Sequence, residues 1–185
     1  GRGTNLKSIF KYSKTIKSKI DLKLVISNNY NILGVEFSKK NKINTKIIDY
    51  KKLKHAEDHI IKHLRKNNIK LICLAGFMKI LSNDFIKKFK YHIINIHPSL
   101  LPKYKGLNTH ERAINNGEKY SGCTVHFVTE KLDSGKIILQ DRVKILKSDN
   151  PQTLAKKILI LENKIYPKAI DLILSKIWRK NLFQF

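Results

Sequence analysis

An amide and an imidazole stand two residues apart at Asn95 and His97, inside the apolar run HIINIHP at 92–98. In a strand, residues i and i+2 lie on the same face, so these side chains project side by side. They would lie at the carboxyl end of the strand, where open α/β sheets bind ligands. An amide can donate to a developing oxyanion, and a histidine can act as general acid and base near neutral pH. The two residues are therefore catalytic candidates. An isolated asparagine and histidine at this spacing, however, more often form hydrogen bonds only with nearby loop backbone.

A carboxylate, Asp133, lies in the turn Leu-Asp-Ser-Gly between two predicted strands. A carboxylate beside an imidazole favours the protonated ring and fixes its orientation. Aspartate is also common in ordinary turns, and the local spacing does not show that Asp133 meets His97. Asp133 is therefore a third candidate, on condition that the fold brings it to the histidine.

The chain opens on Gly1-Arg2-Gly3-Thr4-Asn5, immediately before an amphipathic helical pattern. Glycines let the backbone approach a ligand closely, and the free amides of a helix N-terminus bind anions. This combination predicts a phosphate site, although such a turn is also an ordinary helix entry. In a doubly wound fold a strand precedes a turn of this type. None is found here, so we expect the first strand to be missing.

Helical and strand patterns alternate along the chain, which favours one Rossmann-like, doubly wound α/β domain over residues 1–185 with a mostly parallel sheet. We expect Asn83 to cap the fourth helix and Pro167 to kink the last one. The predicted strands cover 22–28, 44–49, 70–76, 92–98, 124–129 and 136–145, and the predicted helices cover about 6–20, 31–40, 51–67, 83–90, 108–116 and the region from Pro151 onward.

The composition is strongly basic, with 38 Lys and Arg against 14 Asp and Glu and a formal net charge of +24. Nearly all of the cations are lysines spread along the whole chain, which argues against nucleic acid as the main partner. A positive field can still attract a phosphorylated substrate. No apolar run is long enough to cross a bilayer and the sequence lacks a secretory signal pattern, so we expect a cytoplasmic protein with no membrane partner.

Two further groups of residues are expected to be structural. Cys73 and Cys123 lie inside apolar strand-like runs, as buried reduced thiols do. His55, His59 and His63 recur every four residues on one helix face, a spacing that could bind a metal, but no cysteine or clear carboxylate completes a site. We therefore expect a solvated histidine face and no metal.

Longer stretches of sequence carry a family resemblance. They are GRGTNLKSI at the start, LAGFMKILS at 74–82, INIHPSLLPKYKGLNTHERAINNG at 94–117, GCTVHFVTEKLDSGKIILQ at 122–140 and LENKIYP at 161–167. As a set they resemble the folate-dependent formyltransferases, and most closely the branch that formylates phosphoribosylglycinamide in purine biosynthesis. The resemblance implies a Rossmann-like fold, 10-formyltetrahydrofolate as the formyl donor and phosphoribosylglycinamide as the acceptor.

The resemblance also assigns roles to residues, as what the matching motifs imply. The matching positions are Asn95, His97 and Asp133 for catalysis, Gly3, Thr4 and Asn5 for the substrate phosphate, Glu162 for the substrate ribose, and Met78, Lys79, Ile80, Leu81, Asn95, Glu130, Lys131, Leu132 and Asp133 for the folate.

The sequence departs from the family pattern at three places. The first strand is absent, Lys52 or Lys54 stands near a ligand-binding arginine of the family, and Asn108 stands where some members carry histidine. Two alternatives stay open. One is an enzyme that formylates methionyl-tRNA, which shares the Asn-x-His motif but usually carries a further C-terminal domain. The other is an inactive basic remnant that binds nucleic acid, which the intact Asn95, His97 and Asp133 oppose. The sequence leaves monomer and homodimer equally possible.

Overall fold

The computed structural model describes the backbone of residues 2–50 and 55–181, and the side chains of 2–50 and 55–175. Helices and strands alternate along this part of the chain, as the sequence predicts. The elements are α1 (Thr4–Ser13), β1 (Val25–Ser27), α2 (Leu33–Lys40), β2 (Thr45–Ile47), α3 (Ala56–Lys66), β3 (Leu71–Leu74), α4 (Asn83–Lys88), β4 (His92–His97), α5 (Thr109–Asn115), β5 (Tyr120–Phe127), β6 (Ile137–Lys144) and α6 (Pro151–Asn181).

The strands form two sheets in the described residues. β1 pairs with β2 in parallel, and β3, β4, β5 and β6 form a second sheet in that order. In the second sheet β3 and β4 are parallel, whereas β5 pairs antiparallel with β4 and β6 pairs antiparallel with β5. In the common doubly wound order another strand would separate the two halves. The described residues supply no strand there.

Alternation along β4 places Asn95 and His97 on the face opposite to Ile94 and Ile96. Ile94 and Ile96 are buried in a cluster formed with α1, β5 and α6. Ile93 belongs to a second cluster that packs under α3 and α4. Because neighbouring residues of a strand face opposite sides, Asn95 and His97 share the face of Ile93. The sheet is thus covered by helices on both faces, and its central strand presents the polar pair on one of them.

Helix α6 packs on the four-stranded sheet through buried apolar residues and one buried tyrosine. The Tyr166 hydroxyl donates to the carbonyl of Leu74 at 2.7 Å and lies 3.3 Å from the carbonyl of Ile94. Tyr166 is completely buried. One side chain therefore connects the carboxyl end of β3 and the middle of β4 to α6. The helix continues through Pro167, and the expected kink there stays a prediction.

Several element boundaries predicted from the sequence are wrong. Strand β5 begins at Tyr120 rather than at residue 124. Helix α1 ends at Ser13 rather than near residue 20, and Ile16 beyond it is fully exposed. The helical spacing of apolar residues in the sequence continues beyond Ser13, although the helix itself ends there in polar turn residues. Ser82, not Asn83, caps α4, because its side chain accepts a hydrogen bond from the Phe85 amide.

The cysteines are free, as expected. Cys123 is buried and Cys73 is half-buried, and burial raises the pKa of both thiols to about 12. Both thiols are therefore protonated at neutral pH. Within the described residues, none of the helices combines the length and the apolar character needed to cross a membrane.

Candidate active site

The fold brings His97 and Asp133 together. Nδ1 of His97 lies 3.4 Å from Oδ2 of Asp133, and both side chains are more than nine-tenths buried. The other ring nitrogen, Nε2, lies 2.9 Å from the carbonyl oxygen of Tyr104. Both nitrogens thus face oxygen acceptors, and an imidazole donates to two acceptors only when it carries both protons. His97 is thus held between a carboxylate and a backbone carbonyl.

Asp133 is held in place by the backbone around it. Its Oδ2 accepts a hydrogen bond from the Gly106 amide at 2.9 Å. Three non-glycine residues near this contact have left-handed backbone, with φ of 57° at Tyr104, 56° at Asn108 and 45° at Asp133. Such conformations are costly for L-residues and persist where the surrounding structure enforces them, as it often does at active sites. Two strained loops therefore converge on one carboxylate.

Asn95 and Asp133 share a second histidine that the sequence analysis did not single out. His126 on β5 is paired in register with Asn95, and its Nε2 lies 3.5 Å from the Asn95 amide nitrogen and 3.6 Å from Asp133 Oδ1. Burial and the nearby His97 lower the pKa of His126, although the Phe127 carbonyl and Asp133 oppose this shift. A histidine inside the apolar strand run TVHFV was the available signal in the sequence.

A buried polar cluster fixes the loop that follows β4. The Thr124 hydroxyl donates to the Ser99 carbonyl at 2.6 Å and accepts from the Leu101 amide at 3.1 Å. The Gln140 amide donates to the same Thr124 oxygen at 2.7 Å. Thr124 is the strand partner of His97. The backbone that carries the Tyr104 carbonyl is therefore anchored to the sheet beside the catalytic candidate.

The residues predicted to bind phosphate lie where two helices begin. Gly3 precedes α1 with a φ of 68°, and a Cβ added to it would lie 2.7 Å from the Cα of Gly34 in α2. Glycine is thus required there both by the backbone and by the close approach. Thr4 and Asn5 form the first turn of α1, whose free amides favour an anion. Gly1 lies outside the described residues.

Asn5 and Glu162 meet although they are far apart in the sequence. The Asn5 side-chain amide donates to Glu162 Oε2 at 3.0 Å, and both residues are buried. Burial raises the pKa of Glu162, partly offset by this hydrogen bond. The structure thus joins the predicted phosphate loop to the predicted ribose contact.

The segments expected to bind the folate present exposed apolar side chains. Met78 and Ile80 are each 77% exposed and Leu132 is 54% exposed. Leu81 differs, because its side chain is buried in the cluster under α3 and α4. Leu132 packs over Gly106, so this exposed leucine lies beside the glycine whose amide binds Asp133. Exposed large apolar side chains of this kind are candidates for ligand contacts.

The remaining residues of the folate prediction are polar and lie at the surface. Lys79, Glu130 and Lys131 are exposed, and Glu130 forms an ion pair with Lys87 at 3.4 Å. Asn108 immediately precedes α5. Lys52 and Lys54, proposed to replace a family arginine, lie outside the described residues.

The three spaced histidines are found on and before α3. His55 precedes the helix and forms an ion pair with Asp58 at 3.7 Å. In the part of the chain that the structure describes, no group of three or more His, Cys, Asp or Glu residues is placed to hold a metal ion.

Comparison with known proteins identifies the family. The formyl transferase family matches residues 1–170. The chain belongs to this family. A solved formyltransferase structure, phosphoribosylglycinamide formyltransferase from Anaplasma phagocytophilum, superposes with a TM-score of 0.89 at 42% identity over 95% of this chain and 83% of that chain. The formyltransferase fold expected from the sequence is confirmed.

Two curated relatives show how the family uses this domain. The phosphoribosylglycinamide formyltransferase of Escherichia coli is 36% identical over 92% of this chain and 82% of its own length. The human trifunctional purine biosynthetic protein adenosine-3 is 39% identical over 95% of this chain. The chain spans only 18% of that trifunctional relative.

Proposed function

We propose that this protein transfers the formyl group of 10-formyltetrahydrofolate to the amine of 5'-phosphoribosylglycinamide. Its family membership and its similarity to the Escherichia coli phosphoribosylglycinamide formyltransferase support this reaction. The observation that carries the proposal is the contact between His97 and Asp133, 3.4 Å apart, on the sheet face that also bears Asn95. The cytoplasmic location expected from the sequence stays a prediction.

In the proposed mechanism the substrate amine attacks the formyl carbon and a tetrahedral intermediate forms, with negative charge on the former carbonyl oxygen. Asn95 and protonated His97 donate hydrogen bonds to that oxygen. Asp133 keeps His97 protonated and accepts the amine proton, directly or through a water. The bond from the formyl carbon to N10 of the folate then breaks, and the proton passes to that nitrogen. The carbonyl oxygen reforms and formylated product leaves.

The unliganded geometry adds one requirement to this mechanism. Nε2 of His97 donates to the Tyr104 carbonyl, so this nitrogen is already engaged. The formyl oxygen can bind at Nε2 only if the Tyr104 carbonyl moves away. Hydrogen bonds in unliganded active sites commonly rearrange in this way when substrate binds.

In the proposal each substrate binds a separate part of the protein surface. The phosphate binds the amides at the start of α1, with Gly3, Thr4 and Asn5 around it, and Glu162 accepts from the ribose hydroxyls. The pteridine lies against Met78, Lys79, Ile80 and Leu81 on one side and against the loop of Glu130, Lys131, Leu132 and Asp133 on the other.

A formylation assay with phosphoribosylglycinamide beside methionyl-tRNA tests the function. We expect the ribonucleotide to be formylated and the tRNA not to be. His97→Ala and Asp133→Asn should each lower kcat by at least about 100-fold, since each removes part of the oxyanion machinery. His55→Ala changes an exposed histidine away from this cluster and should retain full activity. Formylation of the tRNA alone, or near-normal rates in both site variants, would reject the proposal.

A further inference from the structure

His126 is a buried titratable group that the proposed mechanism does not use. Its side chain is 2% exposed. It stands opposite Asn95 in the antiparallel register of β4 and β5. Paired residues of neighbouring strands point to the same face, so His126, Asn95 and His97 share one surface.

The hydrogen bonds of the His126 ring define its tautomer. Nδ1 lies 2.9 Å from the carbonyl oxygen of Phe127, which can only accept, so Nδ1 carries the proton. In the neutral ring Nε2 is therefore a bare acceptor. Two groups face Nε2, the amide nitrogen of Asn95 at 3.5 Å and Oδ1 of Asp133 at 3.6 Å.

An asparagine amide has two orientations that differ by half a turn, and they present opposite chemistry. With the nitrogen toward Nε2 of His126, one N–H is bound and the other stays available as a donor. With the oxygen toward Nε2, two acceptors face each other and repel. A neutral His126 thus selects the first orientation of Asn95.

From this geometry we infer that His126 is a positioning residue, whose neutral ring holds the Asn95 amide in the orientation that donates to the reaction's oxyanion. The inference rests on the proposed formyl transfer. It adds a fourth member to the site, one that acts through Asn95 and does not touch the substrate.

Protonation of His126 would reverse its role. Four groups face the ring, namely the Phe127 carbonyl, Asn95, Asp133 and His97. A proton on Nε2 would direct that nitrogen toward Asp133 Oδ1, 3.6 Å away, and remove the acceptor for Asn95. The interaction between His97 and Asp133 would also weaken, because the two histidines would share one carboxylate. Activity should therefore fall as the pH falls through the pKa of His126, which burial places below the ordinary imidazole value.

Two substitutions separate positioning from packing. Glutamine can place its side-chain oxygen near the former Nε2 and accept from Asn95 without titrating, whereas methionine fills the space but offers only a weak acceptor. We expect His126→Met to lower kcat about 10-fold or more with KM changed less than about 3-fold. His126→Gln should recover most of this loss and remove the acid limb assigned to His126 from the pH profile of kcat.

The decisive measurement is a double-mutant cycle with Asn95→Ala. If His126 acts through Asn95, His126→Met should cost less than about 2-fold in the Asn95→Ala background. An equal cost in both backgrounds, with folding verified by Tm, would overturn the inference. Protonation of Nε2 at neutral pH, read from the 15N NMR shifts of the ring, would overturn it as well. An unmodified protein that does not formylate phosphoribosylglycinamide would instead reject the proposed function.

Discussion

At the residue scale, one carboxylate organises the site. Asp133 faces His97 through one oxygen and His126 through the other, and it also receives the Gly106 amide. Its left-handed backbone conformation places it there at an energetic cost. In an open turn the Asp133 carboxylate would be hydrated. In the proposed mechanism this arrangement instead holds the carboxylate next to the reacting atoms.

Glu162 gives a residue-scale prediction about pH. Burial raises its pKa, so the folded state binds the proton more tightly than the unfolded chain and the ionised carboxylate opposes folding. This contribution favours folding at acid pH and is lost as the pH rises through the raised pKa. Glu162→Gln keeps an acceptor for Asn5 and removes the charge. We expect Tm to rise by about 2–4 °C at pH 7 and the gain to vanish near pH 4.

The matched control is Glu118→Gln. Glu118 has a lowered pKa, because Lys103 and Tyr104 donate to it, so its substitution should lower Tm at pH 7 instead. If Glu162→Gln leaves Tm unchanged or lowers it, the buried charge is stabilised by something other than Asn5. In the proposed function the same variant should raise KM for phosphoribosylglycinamide, because the amide is a weaker acceptor for ribose hydroxyls.

Some residues of the site could be predicted from the sequence and others could not. The spacing of Asn95 and His97 placed them on one strand face, because strand periodicity is local. The contact of Asp133 with His97 depends on the path of the loop between β5 and β6, and only the family resemblance pointed to it. His126 was missed because a histidine in a strand acquires meaning only from the register that pairs it with Asn95.

At the element scale, Tyr166 adds a polar link to the apolar packing of α6 on the sheet. Removing its hydroxyl takes away the donor shared by the Leu74 and Ile94 carbonyls while the ring still fills its space. We expect Tyr166→Phe to cost about 1–2 kcal/mol and to lower Tm by about 3–6 °C. Thermal unfolding followed by circular dichroism measures the change. Tyr91→Phe, at an exposed tyrosine, should leave Tm unaltered, and equal shifts in both variants would contradict the bridging role.

The order and type of the elements could be predicted because helical and strand patterns repeat over several residues. Their ends could not, since an end depends on single hydrogen bonds. Ser82 caps α4 because its oxygen reaches the Phe85 amide, whereas its neighbour Asn83 has an equally suitable side chain. The antiparallel edge formed by β5 and β6 is consistent with the short turn between them, which leaves no room for a crossover helix.

At the scale of the whole molecule, the net charge of +24 surrounds a site proposed for anionic ligands. A positive field raises the encounter rate of phosphate and folate carboxylates, and salt screens it. We expect kcat/KM for phosphoribosylglycinamide to fall several-fold between about 0.05 and 0.5 M potassium chloride, while kcat changes little. Sorbitol at matched osmolality serves as the control. A salt-independent kcat/KM would show that the lysines do not assist substrate capture.

Strand β3 has a neighbour on one side only within the described residues, since the sheet begins with it. The backbone amides of β4 lie between two strands, whereas those of β3 that point away from β4 have no ladder partner among the residues that the structure describes. Local opening of the outer edge of β3 should therefore need far less free energy than opening of β4. Native-state hydrogen exchange would then be slow through β4 and β5 and fast along the outer side of β3, so that the protein would loosen from that side first.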